Sequence, residues 1–118
     1  MLYKIFVRAL NNSFLKRVVR KSGIRKLSPR KEDLENTSLI KKYVPGKSFA
    51  DIGCMWGVNG QNSFIAEESR STRIMAVDVY PESNEYLEEK RKRNSKIQFV
   101  QGDINLLSTT QKVGQMDV

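Results

Sequence analysis

Three aspartates stand where they could meet one ligand. Asp51 closes the run Ser48-Phe49-Ala50, Asp78 closes Ile74-Met75-Ala76-Val77, and Asp103 follows Ile97-Gln98-Phe99-Val100-Gln101-Gly102. After the first of them comes a glycine-punctuated stretch, Ile52-Gly53-Cys54-Met55-Trp56-Gly57-Val58-Asn59-Gly60. A carboxylate at the end of a strand is a fixed hydrogen-bond acceptor, suited to hydroxyl and amino groups. Glycines beside it let the backbone turn sharply and let a ligand approach the main chain, as in nucleoside-binding loops. One such aspartate would be an ordinary turn or capping residue. Three at successive strand ends make a pattern.

The elements that must position these acids follow from local signals. The segment 31–44 predicts a helix, with Glu32, Asp33 and Glu35 near its start and Lys41 and Lys42 near its end, as the helix dipole favours. Pro45-Gly46 predicts a turn. Strands are expected over 48–51, 74–78 and 97–101. Helices are expected over 61–69, carrying Phe64 and Ile65 inward, and over 82–93, with Pro81 suited to the first turn. Glu88 with Lys92 and Glu89 with Arg93 are four-residue pairs in the favourable order. A short helix or loop is expected over 106–111, and 116–118 reads as the opening of a fourth strand. Strand, helix, strand, helix, strand predicts an α/β fold with a right-handed parallel sheet, and ligands in such sheets bind beyond the carboxyl ends of the strands. Asp51, Asp78 and Asp103 all fall at those ends.

Asp51-Ile52-Gly53-Cys54-Met55-Trp56-Gly57 resembles the first motif of the class I S-adenosylmethionine-dependent methyltransferases, with Met55 where that motif has its middle glycine. Ala76-Val77-Asp78 resembles the second motif and Gln101-Gly102-Asp103-Ile104 the third. The resemblance covers roughly residues 44–118. It implies a Rossmann-like fold and S-adenosyl-L-methionine as cofactor. It also implies that Asp51, Gly53 and Gly57 form the loop around the methionine part, that Asp78 holds the ribose hydroxyls, and that Asp103 lies beside the adenine amino group. The acceptor of the methyl group is open between a small molecule and RNA, and no catalytic residue can be named; Asp117 stands where fourth-motif residues begin. In that family strand one is central. A chain of 118 residues that ends as strand four begins leaves strand one at an edge, with backbone groups unpaired. The expectation is therefore the N-terminal portion of a longer enzyme, its edge covered by a C-terminal half or by a second copy.

Composition narrows the classes. Hydrophobic residues at 39% and charged residues at 29% are those of a globular domain rather than a disordered chain. The chain has no histidine, which excludes a Ser-His-Asp triad and histidine-bound zinc within it. Its single cysteine, Cys54, allows no internal disulfide and suits a reducing cytoplasm; it reads as a small buried loop residue. The net charge of +8 is uneven: residues 1–31 hold ten Lys or Arg and no acid, and the remainder is slightly acidic. The chain thus divides into a basic arm over 1–30 and a partial Rossmann-like domain over 31–118. Within the arm, Leu2, Phe6, Leu10, Phe14 and Val18 recur every four residues, the pattern of an amphipathic helix. Three readings of the arm are open: contact with RNA or an anionic membrane surface, an organelle-targeting segment, or packing on the domain.

Two other functions compete. A nicotinamide-dependent oxidoreductase also uses a strand, a glycine loop and a ribose-binding acid, but the spacing of Gly53, Gly57 and Gly60 does not match its Gly-x-Gly-x-x-Gly fingerprint. A non-catalytic Rossmann-like binding module, or pseudo-enzyme, would keep the fold and lose the chemistry.

Overall fold

The computed structural model describes residues 30–118. The expected amphipathic arm lies outside the described residues. The compact unit that carries the sheet is Glu35–Val118.

Charge placement starts the first helix, α1 (Lys31–Tyr43). Asp33 accepts hydrogen bonds from both the backbone and the guanidinium of Arg30 at the helix start, and Lys41 and Lys42 occupy its last turn. Pro45 follows, and the chain turns into β1 (Ser48–Ile52). Then come α2 (Gln61–Glu68), β2 (Arg73–Asp78), α3 (Asn84–Arg93), β3 (Gln98–Gln101) and α4 (Leu107–Val113).

The three strands are parallel in the order β1-β2-β3, with Asp51 opposite Ala76 and Asp78 opposite Gln101. The middle strand is buried from Ile74 to Asp78, which is why its sequence is an unbroken apolar run rather than an alternating one. Successive side chains point to opposite faces. Phe49, Ile74, Ala76, Ile97 and Phe99 pack with Ile40, Phe64 and Tyr86 on one face. Ala50, Met75, Val77 and Val100 pack with Val113 on the other. This is the Rossmann-like α/β arrangement expected from the sequence.

Several boundaries move for identifiable reasons. The helix expected from residue 82 begins at Asn84, because the Ser83 hydroxyl accepts the Tyr86 N–H and sets the start. Pro81 therefore lies in the preceding loop, not in the helix. The short helix expected over 106–111 continues to Val113, whose side chain is buried under the sheet. Residues 116–118 are not a full strand, yet Val118 pairs with the free edge of β1. Its N–H donates to the Ser48 carbonyl at 3.1 Å, and its carbonyl accepts the Ala50 N–H at 2.9 Å.

The sharpest steric constraint is Gly60, at the start of α2. It has a φ of 71°, and a Cβ there would lie 2.3 Å from Cε2 of Tyr86, whose ring is fully buried. Gly53, with φ 77°, has nothing within 4 Å of the same position. Gly60→Ala should therefore cost both left-handed strain and overpacking, about 3 kcal/mol or more. Gly53→Ala should cost only the strain, about 1 kcal/mol. Urea unfolding of the two variants measures the difference, and equal losses would mean that the Tyr86 ring moves aside freely.

Candidate cofactor site at the carboxyl rim of the sheet

The site is assembled around the end of β2. The Val77 carbonyl accepts the N–H groups of Gly53 and Cys54 at 2.8 and 3.3 Å, so the loop after β1 folds back over its neighbour. One residue on, Asp78 binds all three rim loops. Its Oδ2 accepts the Met55 N–H at 2.7 Å, its Oδ1 accepts the Tyr80 N–H at 2.9 Å, and its carbonyl accepts the Gly102 N–H at 2.8 Å. The carboxylate is 5% exposed. A carboxylate offers about four acceptor positions, so two remain.

Asp51 is also buried, 6% exposed, and turns to α2. Its Oδ2 accepts the Ser63 N–H at 3.0 Å and the Ser63 hydroxyl at 2.6 Å, which ties the helix start to the end of β1. Burial pushes the Asp51 carboxyl above the usual aspartate range; the Ser63 hydrogen bonds oppose this, and the Asp78 charge adds to it. Asp103 is different. It is half-buried, its Oδ1 accepts the N–H and the side-chain amide of Asn105, and its Oδ2 is unpartnered among the described residues.

The glycine loop keeps its shape without the middle glycine. Gly53 and Gly57 have φ of 77° and 73°, whereas Met55 is outside the left-handed region. The Met55 side chain is buried in the core while its N–H bonds Asp78, so it occupies no space above the loop. The open position is Gly53, where a ligand can approach the main chain. Cys54 is fully buried, and burial, with the charges of Asp51 and Asp78, pushes its thiol up to about 12. It stays protonated and inert at neutral pH, as the sequence reading expected.

The rim thus brings together the ends of β1, β2 and β3 with Asp51, Gly53, Gly57, Asp78 and Asp103. Asp117 does not join them. It sits at the opposite end of β1, where its Oδ2 accepts the backbone N–H and the hydroxyl of Ser48, both at 2.9 Å. Sequence reasoning passed over Trp56 and Tyr80, which stack with ring centroids 6.1 Å apart and planes 24° apart. They follow the ends of β1 and β2, and that position was their only signal. Ser63, the partner of Asp51, had none.

No family model matches the chain, and no curated protein matches it. Among solved structures, the chain is similar to the Trypanosoma brucei PRMT1 enzyme–prozyme heterotetrameric complex with AdoHcy, at 21% identity and a TM-score of 0.55. The match covers 75% of this chain and 27% of that one, so this chain spans about a quarter of the length of its structural neighbour. The likeness shows the fold: a Rossmann-like sheet of the class I methyltransferase type. Among the described residues no helix is long and apolar enough to cross a membrane.

The raised carboxyl of Asp51 makes a signed prediction. A group that ionises less readily when folded costs no stability below its unfolded pKa, and the cost grows as pH rises through the folded value. Asp51→Asn can still accept from Ser63 and carries no charge. It should be at least as stable as wild type at pH 7, with any advantage shrinking towards pH 3. Thermal melts across that range check it, and a variant less stable at pH 7 than at pH 3, relative to wild type, would contradict the assignment.

Proposed function

We propose that the carboxyl rim binds S-adenosyl-L-methionine and that the chain is the cofactor half of a methyltransferase, acting on an acceptor still to be identified. The observation that carries this reading is the open backbone at Gly53 beside three strand-end aspartates, on a fold whose solved neighbour is a complex with AdoHcy. The residues fit the cofactor. Gly53 leaves room along the loop for its methionine part. Asp78 keeps two acceptor positions for ribose hydroxyls, and Asp103 Oδ2 is available to an adenine amino group. Asp51 supports the site from beneath by holding α2 to β1.

When bound, the cofactor supplies a methyl group on a sulfonium, an electrophile that needs in-line placement more than covalent help. The chain's own contribution is then binding and orientation. Cys54 is held protonated, Asp51 is tied to Ser63, and Asp78 and Asp103 are assigned to the ribose and the adenine, which leaves the rim a binding and orienting role. The nicotinamide alternative is weaker, because Gly53, Gly57 and Gly60 do not have the spacing of its Gly-x-Gly-x-x-Gly fingerprint.

Calorimetric titration with S-adenosylhomocysteine tests the reading. Wild-type protein should bind saturably, and Asp103→Ala should weaken binding roughly tenfold or more, the worth of one hydrogen bond to a charged group. Because Asp103 is half-buried and makes only local bonds, its loss should change stability by less than about 1 kcal/mol. Absence of saturable binding in the wild type would overturn the proposal; unchanged binding in Asp103→Ala would remove only the role given to Asp103.

A further inference from the structure

Trp56 and Tyr80 form an exposed aromatic pair held in place from below. Trp56 is the only tryptophan of the chain and is 73% exposed; Tyr80 is 53% exposed. Their backbones are fixed by a single carboxylate, since Asp78 takes the N–H of Met55, the residue before Trp56, on one oxygen and the N–H of Tyr80 on the other. Leaving large rings in water forgoes about 1.5–3 kcal/mol of burial for each fully buried side chain. Rings exposed yet prearranged in this way are ready to receive a partner.

The charge around them says which kind. The loops over 53–60, 79–83 and 102–106 contain no Lys or Arg, while Asp51, Asp78, Glu82 and Asp103 line or border them. Glu82 is neutralised by Lys90 from α3, at 3.2 Å. The three aspartates have no cationic partner at the rim among the described residues. Basic residues cluster instead around the strand starts, at Lys47, Arg70, Arg73 and Lys96. The faces of aromatic rings carry negative potential and attract cations. An acidic, aromatic rim repels phosphate and favours a compact positive group.

We infer that Trp56 and Tyr80 form a cation-binding wall that takes an onium group, the sulfonium of the cofactor or the ammonium of an acceptor. The proposed function bears only on which molecule owns that cation, so the wall can be tested with the cation alone.

The probe is choline, set against 3,3-dimethylbutan-1-ol, which has the same shape without the charge, at constant ionic strength. Trp56 emission reports binding directly. Wild type should respond saturably to choline and bind it about fivefold tighter than the neutral alcohol. Tyr80→Phe should keep that margin and Tyr80→Leu should lose it. Calorimetry on Trp56→Leu should show the same loss, and both side chains are exposed enough for these variants to retain the core. Equal binding of choline and the alcohol, or a margin that survives both leucine variants, would overturn the inference. Displacement of choline by S-adenosylmethionine but not by S-adenosylhomocysteine would support the wall and assign it to the sulfonium. Choline binding to protein loaded with S-adenosylhomocysteine would support it and assign it to an acceptor. If neither nucleoside binds while choline keeps its margin, the proposed function falls and the cation wall stands.

Discussion

The arrangement depends on how one buried carboxylate is satisfied. Asp78 ends the central strand, where burial without partners would be prohibitive for a charge. The backbone meets that demand: Met55 and Tyr80 each donate an N–H to the side chain, and Gly102 donates to the main-chain oxygen. Each donor belongs to a different rim loop. The carboxylate therefore draws the loops after β1 and β2 to one point, and the main-chain oxygen of the same residue brings in the loop after β3. Asp51 does the same work one strand over, joining α2 to β1 through Ser63.

Packing beneath the loop is equally specific. Tyr86 reaches under Gly60 from α3 and stacks at an angle against Phe64 and Phe99, so that the start of α2 rests on its ring. Its hydroxyl is buried with no hydrogen-bond partner among the described residues, a cost of about 1–3 kcal/mol that the aromatic contacts must outweigh. Met55 and Cys54 fill the remaining space. These side chains anchor the glycine loop to the core.

Charge is distributed by the ends of the sheet. The strand starts carry Lys47, Arg70, Arg73 and Lys96, while the carboxyl rim carries the aspartates. The overall charge of +8 is uneven along the sequence, because residues 1–31 supply ten of the basic side chains. The rim that results is acidic and aromatic.

The sequence by itself determined the order of elements, the parallel sheet and the three strand-end aspartates. Those follow from period-two and period-3.6 patterns, turn residues and motif spacing, all of them local along the chain. It could not determine what the aspartates touch. That Asp51 holds Ser63 through Oδ2, that Asp78 staples three loops and that Asp103 keeps its Oδ2 unpartnered among the described residues depend on residues 12 to 24 positions away or on the local turn of a loop. The same holds for Asp117, whose Ser48 bonds span 69 residues and carry it away from the rim. The pairing of Trp56 with Tyr80, and the burial of Met55 beneath the glycine loop, were decided only in three dimensions. Which way a side chain faces depends on the loop's path, and that path is set by hydrogen bonds to a neighbouring strand.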